Sequence, residues 1–312
     1  MSHASELHVV IGAGPVGSTI ALQLAERGHQ VRLLTRSGSG PEHPMIERRS
    51  VDVSRAEGLD EQFAGAVAVY HCAHGSAYDA KVWRAELPAT EAVVLDAAGR
   101  AGAVVVFPES LYSYGEVDIP MTEDLPRDAT RGKLGVRADL LRARDASATP
   151  TVSVAASDFF GPLVLMAHAG DRLVPKVLEG KTVNVVGSLD QPHSFTYVPD
   201  LARAMITAAR TPELWNSFLH APTAPAVTQR EMVRALAAAA GVPAPRMWAL
   251  PAWVLKVSGL FSGEARELAE TSYQFSAPFV LDSSRSEALL GLAPTPFDVA
   301  AKETVTWWRN DH

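Results

Sequence analysis

The stretch GAGPVGSTIALQLAERGH, residues 12–29, decides the fold. It follows the short apolar, β-branched run from Leu7 to Ile11 and carries helix-period hydrophobic residues up to Gly28, so it reads as strand, turn and helix. Gly12, Gly14 and Gly17 stand in G-x-G-x-x-G spacing, with Pro15 and Val16 inside it. The three glycines differ in what they make possible. Gly12 turns the chain sharply, Gly14 lets backbone approach a pyrophosphate, and Gly17 lets the helix pack on its strand. A pyrophosphate would then meet the helix N-terminal amides. The spacing alone also fits a tight turn without a ligand. With QVRLLTR (30–36) following as a second strand, the context favours a dinucleotide.

The alternation continues outward from that unit. SRAE (54–57) reads as a capping box opening a helix, AVAVYHC (66–72) as a strand, ELPATEAVVLDAAGRAG (86–102) as a helix, and AVVVFP (103–108) as a strand. KLGVRADLLRARDAS (133–147) is a helix and TVSVAAS (151–157) a strand. Apolar strands separated by long helices imply a parallel sheet covered on both faces. The expected class is therefore α/β, a Rossmann-type doubly wound parallel sheet over residues 1–160. Residues 161–312 should form a smaller, mostly helical substrate lobe, with some elements returning to the sheet. Its expected elements are TVNVVG (182–187), PDLARAMITAAR (199–210), a capping box at TQRE (228–231) and a helical stretch at 252–275. Among its aromatics, Trp248, Trp253, Phe261, Tyr273 and Phe275 read mostly as core, with one or two facing an apolar substrate.

Composition narrows the partners. The chain has 312 residues, 47% of them hydrophobic, and a net charge of −7 without a long basic run, which argues against nucleic acid and for a small-molecule substrate. No apolar run approaches the roughly 18 residues of a membrane span. The N-terminus lacks a basic segment followed by an apolar one, so a cytoplasmic location is expected. The only cysteine, Cys72, lies in an apolar run and reads as a strand thiol.

The end of the second strand chooses between cofactors. NAD-preferring sites place a carboxylate there for the ribose 2′-hydroxyl. This chain has Thr35, Arg36 and Ser37, followed by Ser39. Arg36 suits a 2′-phosphate and Ser37 or Ser39 suits a donor to it, so NADP(H) is favoured and NAD(H) remains possible.

Several separated segments resemble the short-chain dehydrogenase/reductase superfamily, in its extended NAD-dependent epimerase/dehydratase branch. They are VDVSR (51–55), YHCAH (70–74), VVVFPESLYSYG (104–115), ASDFFGP (156–162) and PHSFTYVPDLARAM (192–205). The resemblance implies that Asp52 and Val53 contact adenine and that Cys72, Ala73 and His74 line the cofactor. It also implies that Asp158, Phe159, His193, Phe195 and Tyr197 lie by the substrate, and it allows a homodimer. The opening glycine spacing is shorter than that of extended members.

A second departure concerns mechanism. Ser110 matches the Ser or Thr that binds the substrate oxygen, but the helix after the fifth strand begins RGKLGVRADLL (131–141). This puts Lys133 where the resemblance expects the catalytic Tyr of Tyr-x-x-x-Lys, and Arg137 where it expects the Lys. Lys133 admits three roles: a charged donor, an amine of depressed pKa, or a solvated residue. Arg137 suits anion binding and cannot transfer protons. Tyr112 could replace the tyrosine, with Glu109 and His74 as further candidates, while Tyr114 reads as core. The expected function is an oxidoreductase or epimerase/dehydratase-like enzyme acting on a carbonyl or secondary alcohol. The alternatives are a sensor that kept the cofactor fold, or a non-redox cyclase or isomerase. No metal site is expected.

Overall fold

The computed structural model describes residues 5–311 apart from 252, 255, 256 and 258–261. The strands are β1 (Leu7–Ile11), β2 (Gln30–Thr35), β3 (Ile46–Ser50), β4 (Ala66–His71), β5 (Val104–Ser110), β6 (Thr151–Ala156), β7 (Asp158–Phe160), β8 (Val183–Val186), β9 (Pro192–His193), β10 (Phe195–Tyr197), β11 (Ser217–His220), β12 (Val227–Thr228) and β13 (Met247–Leu250). The helices are α1 (Pro15–Glu26), α2 (Leu59–Phe63), α3 (Ala80–Ala101), α4 (Gly132–Asp145), α5 (Val174–Leu178), α6 (Val198–Ala209), α7 (Gln229–Ala240), α8 (Gly263–Thr271), α9 (Ser284–Leu290) and α10 (Phe297–Asp311).

Seven of these strands form one parallel sheet in the order β11-β6-β5-β4-β1-β2-β3. This is the Rossmann-like α/β fold. Alternate residues of each strand serve opposite faces. Val10, Leu33, Tyr70, Val104 and Val106 pack towards α1 and α6, whereas Val9, Ile11, Leu34, Val69 and Val105 pack towards α2 and α3. Strand order reverses between β1 and β4, and in open α/β sheets the crevice beyond the strand ends at such a point receives ligands.

A second apolar cluster surrounds α7 and α10, with Phe160, Val174, Phe195, Tyr197, Leu236 and Trp308 inside it. Among the described residues no helix is long and apolar enough to cross a membrane.

Local chemistry explains where elements begin. At TQRE the capping box forms: Thr228 Oγ1 accepts the Glu231 amide at 3.1 Å, and the Glu231 carboxylate accepts the Thr228 amide at 2.7 Å. The expected box at SRAE does not form. The amide and hydroxyl of Ser54 both donate to Asp52 Oδ1, at 3.1 and 2.7 Å, so Ser54 is spent on an Asx turn. α2 starts later, after Gly58 in the left-handed region. The third helix starts earlier than Glu86, because Asp79 accepts the Lys81 and Val82 amides at 2.8 and 3.1 Å. Of the aromatics expected mostly in the core, Trp248 and Trp253 face outward, 67% and 65% exposed. Among the described residues β13 pairs only with β8, which leaves Trp248 on an open face. Phe261 lies outside the described residues.

A buried ion chain ties α3 and α4 to the end of β5. Arg144 reaches Glu91 Oε1 at 2.7 Å and Glu109 Oε2 at 2.8 Å, and Glu109 Oε1 takes Arg137 Nε at 2.7 Å. Arg144 also donates to Ser153 Oγ at 3.0 Å. Removing one partner of such a network leaves uncompensated buried charge. Arg144→Ala is therefore expected to lower unfolding free energy by roughly 3–5 kcal/mol, measured by urea denaturation; a loss below about 1 kcal/mol, the ceiling of a typical exposed pair, contradicts the assignment.

Candidate functional site

The glycine turn lies beyond β1, at the point of strand reversal. Gly12 has φ +93°, and a Cβ there would come within 3.0 Å of the Ala73 amide nitrogen and the Cys72 carbonyl. At Gly17 a Cβ would fall 2.0 Å from the Gly12 carbonyl oxygen, so the helix can meet the strand only without a side chain. Gly14 differs: nothing lies within 4 Å of a Cβ built there. Gly14 is also the N-cap of α1, and no side chain caps its amides, while Pro15 occupies the first turn and Val16 is buried in the core. Open space before uncapped helical amides fits a dinucleotide pyrophosphate.

The other expected cofactor residues are distributed around the turn. Cys72 and Ala73 adjoin Gly12, and burial pushes the Cys72 thiol well up, so it stays neutral. Arg36 is exposed at the end of β2, with no hydrogen bond or ion pair to its guanidinium among the described residues. Ser37 and Ser39 share a hydroxyl hydrogen bond of 2.7 Å beside it. Asp52 holds the Asx turn, and Val53 packs with Ile11 and Leu34.

At the start of α4 the structure answers the question of Lys133. Its side chain is fully buried, with Nζ 2.5 Å from Glu267 Oε2, 2.6 Å from Glu270 Oε2 and 2.9 Å from the Glu267 carbonyl. Burial alone would lower the amine's pKa, but the hydrogen bonds of Glu267 and Glu270 outweigh it and hold the pKa above its ordinary value. The solvated and depressed-pKa readings are both corrected: the two carboxylates keep Lys133 charged and enclosed. Gly132 makes room for them, since a Cβ there would lie 1.6 Å from Glu270 Oε1.

Arg137 pairs with Glu109 and approaches Ser110 Oγ at 3.4 Å. The Ser110 amide donates to Glu109 Oε1 at 2.7 Å. Glu109, offered as a base, is thus bound to two arginines. Tyr112 stacks on Trp83, with ring centres 6.3 Å apart and planes 13° apart, and its hydroxyl lies 2.8 Å from that of Tyr78. Burial first, and Tyr78 among the lesser causes, raise the Tyr112 pKa well above the ordinary phenol value. His74 meets the same indole edge-on at 4.5 Å. Enclosure and then the Arg137 charge lower its pKa to about 4, leaving a neutral imidazole at pH 7.

On the expected substrate side, His193 Nε2 lies 2.8 Å from Asp158 Oδ2, and its Nδ1 lies 3.0 Å from the Gln274 carbonyl. Burial would raise the Asp158 pKa, but the hydrogen bond and charge of His193 prevail and lower it. Phe159 packs against the main core. Phe195 and Tyr197 are enclosed in the second cluster, where the Tyr197 hydroxyl donates to Glu303, so packing occupies both. Tyr114 is a core residue as expected, bonded to the Thr122 carbonyl and His220.

Sequence reasoning missed Tyr78, Trp83, Glu267, Glu270 and Thr271. The one available signal was a pair of carboxylates three residues apart on a helix, at Glu267 and Glu270.

Solved structures share this architecture. The Bordetella bronchiseptica enzyme WbmH, in complex with NAD+, aligns with a TM-score of 0.76 at 20% identity, covering 98% of this chain and 99% of its own. UDP-glucuronic acid 4-epimerase from Bacillus cereus, in complex with NAD, aligns with a TM-score of 0.75 at 17% identity, covering 98% and 97%. UDP-glucose 4-epimerase from Thermotoga maritima, with UDP-glucose, aligns with a TM-score of 0.76 at 18% identity, covering 98% and 99%. At such identities the likeness speaks for the fold. No curated protein matches the sequence. Residues 8–217 match the model of the NAD dependent epimerase/dehydratase family, and the chain belongs to that family.

Proposed function

We propose that the chain binds a nicotinamide dinucleotide beyond β1 and β4 and acts with it on a carbonyl or secondary alcohol of a small metabolite. The open space at Gly14, before the uncapped N-terminus of α1, carries this reading. NADP(H) is the favoured form. No carboxylate ends β2, and Arg36 is exposed without an ion pair among the described residues, as a 2′-phosphate requires. NAD(H) is the alternative, and two of the similar structures were solved with it.

A bound dinucleotide supplies two-electron transfer at its nicotinamide ring. The chain's own residues hold the substrate and move its proton. Ser110, fixed by the Glu109 carboxylate at its amide, orients the reacting oxygen. Lys133 and Arg137 contribute fixed positive charge, each already offset by carboxylate, and neither is suited to release a proton. Tyr112 places a phenol hydroxyl in the turn Leu111–Tyr114, two residues beyond the end of β5.

The same pairing of Lys133 and Arg137 favours a second reading, in which the chain binds a dinucleotide and reports its redox state without turnover. That reading requires different affinities for the oxidised and reduced forms and no change in cofactor absorbance with any carbonyl substrate.

Calorimetric titration with NADP+ and NAD+ tests the binding site. Gly14→Val should fold like the wild type, since its side chain enters open space, yet bind at least about tenfold more weakly by denying charged hydrogen bonds to the pyrophosphate. Unchanged affinity contradicts the site. Gly17→Ala should instead destabilise the fold itself, seen as a lower thermal midpoint, because its Cβ meets the Gly12 carbonyl. Arg36→Glu is expected to weaken NADP+ by about 10- to 100-fold while leaving NAD+ within about threefold. Equal effects on both remove Arg36 from the 2′-phosphate.

A further inference from the structure

Tyr78 is the group at this site that neither the motifs nor the resemblance supplies. It lies between β4 and α3, 41% exposed, with its hydroxyl 2.8 Å from Tyr112 Oη and 3.3 Å from Thr271 Oγ1. Trp83 orders both phenols: it meets Tyr78 edge-on at 5.4 Å and stacks on Tyr112. His74 packs on the same indole, and its neighbour Ala73 borders Gly12, so the paired hydroxyls stand at the same sheet end as the glycine turn.

Charge sets the resting state of the pair. Lys133 Nζ lies 4.6 Å from the centre of the Tyr78 ring, but Glu267 and Glu270 both press on that amine. One cation faces two carboxylates, so this cluster gives a phenolate no net positive field. Asp158 adds a further negative charge felt by Tyr112. Burial and these negative neighbours hold the Tyr112 phenol in its protonated form, which suits donation rather than proton abstraction.

We propose that Tyr78 and Tyr112 act as a two-hydroxyl acid that gives the substrate oxygen its proton, in place of the tyrosine whose position Lys133 occupies. This rests on the enzymatic reading above. In the reductive direction the carbonyl carbon receives a hydrogen with its electron pair from the reduced dinucleotide. The C=O π pair moves onto oxygen. The Tyr112 O–H bond breaks as an O–H bond forms on the product, Tyr112 takes the Tyr78 proton, and Tyr78 regains one from solvent at its exposed edge. Oxidation of an alcohol runs the same steps backwards.

Two measurements test the pair. With NADPH or NADH and a panel of small aldehydes, ketones and nucleotide sugars, Tyr112→Phe should lower kcat by about 100- to 10,000-fold and Tyr78→Phe by at least about tenfold, both with cofactor Kd within about threefold of wild type. Turnover kept within about threefold in both variants overturns the proposal and leaves the enzymatic reading standing. A wild type that turns over nothing in the panel overturns that reading and the proposal with it. In the cofactor-free protein, ¹³Cζ-tyrosine NMR across pH gives an independent readout. Tyr78→Phe should move the Tyr112 titration midpoint, and an unmoved midpoint shows that the hydroxyls are not coupled.

Discussion

Three cations on α4, Lys133, Arg137 and Arg144, are spaced by four and seven residues and so share one helix face, which is turned into the protein. Burying a charge without a partner costs several kcal/mol, so each demands a carboxylate. The partners come from three different elements: Glu267 and Glu270 on α8, Glu109 at the end of β5, and Glu91 on α3. Satisfying this one face therefore seats α8 against the start of α4, clamps α3 to α4, and orients the backbone on which Ser110 stands. The arrangement around the candidate site follows from that requirement more than from any apolar contact.

The consequence for chemistry is a division of labour. At one end of the crevice the glycines keep the form a pyrophosphate needs, open at Gly14 and closely packed at Gly12 and Gly17. At the other end, the helix positions that the resemblance reserves for a tyrosine and its lysine carry cations consumed by ion pairs. Positive charge remains, but it is locked in place and offset. On the enzymatic reading proposed above, proton chemistry falls to hydroxyls held by Trp83, a residue with 1% exposure that fixes ring orientation without itself titrating.

Much of this is legible in the order of the residues. The strand, turn and helix at residues 7–28 and the succession of the following elements are local patterns, set by alternation and helical period; the first unit appears where expected and the rest in the expected order, with α2 starting later and α3 earlier than their patterns suggest. Ser110, Lys133 and Arg137 are likewise visible at their spacing. What escapes is long-range. Glu267 lies 134 residues from Lys133, and no periodicity announces that the two will meet. Tyr78 sits in an irregular segment without a motif. The failed box at Ser54 is a local error of another kind: two acceptors competed for one serine, and the nearer Asp52 prevailed. Phe195 and Tyr197 carry a family-like segment, yet their pocket is the apolar cluster of α7 and α10.

A crystal structure of the protein grown with saturating NADP+ tests most directly whether a dinucleotide lies across the ends of β1 and β4 with its reactive ring beside the tyrosine pair. The pyrophosphate oxygens are expected about 2.7–3.2 Å from the first amides of α1, the 2′-phosphate against Arg36, and the nicotinamide beside Ser110 and Tyr112. A dinucleotide bound elsewhere, or a turn that stays empty at saturation, contradicts this placement.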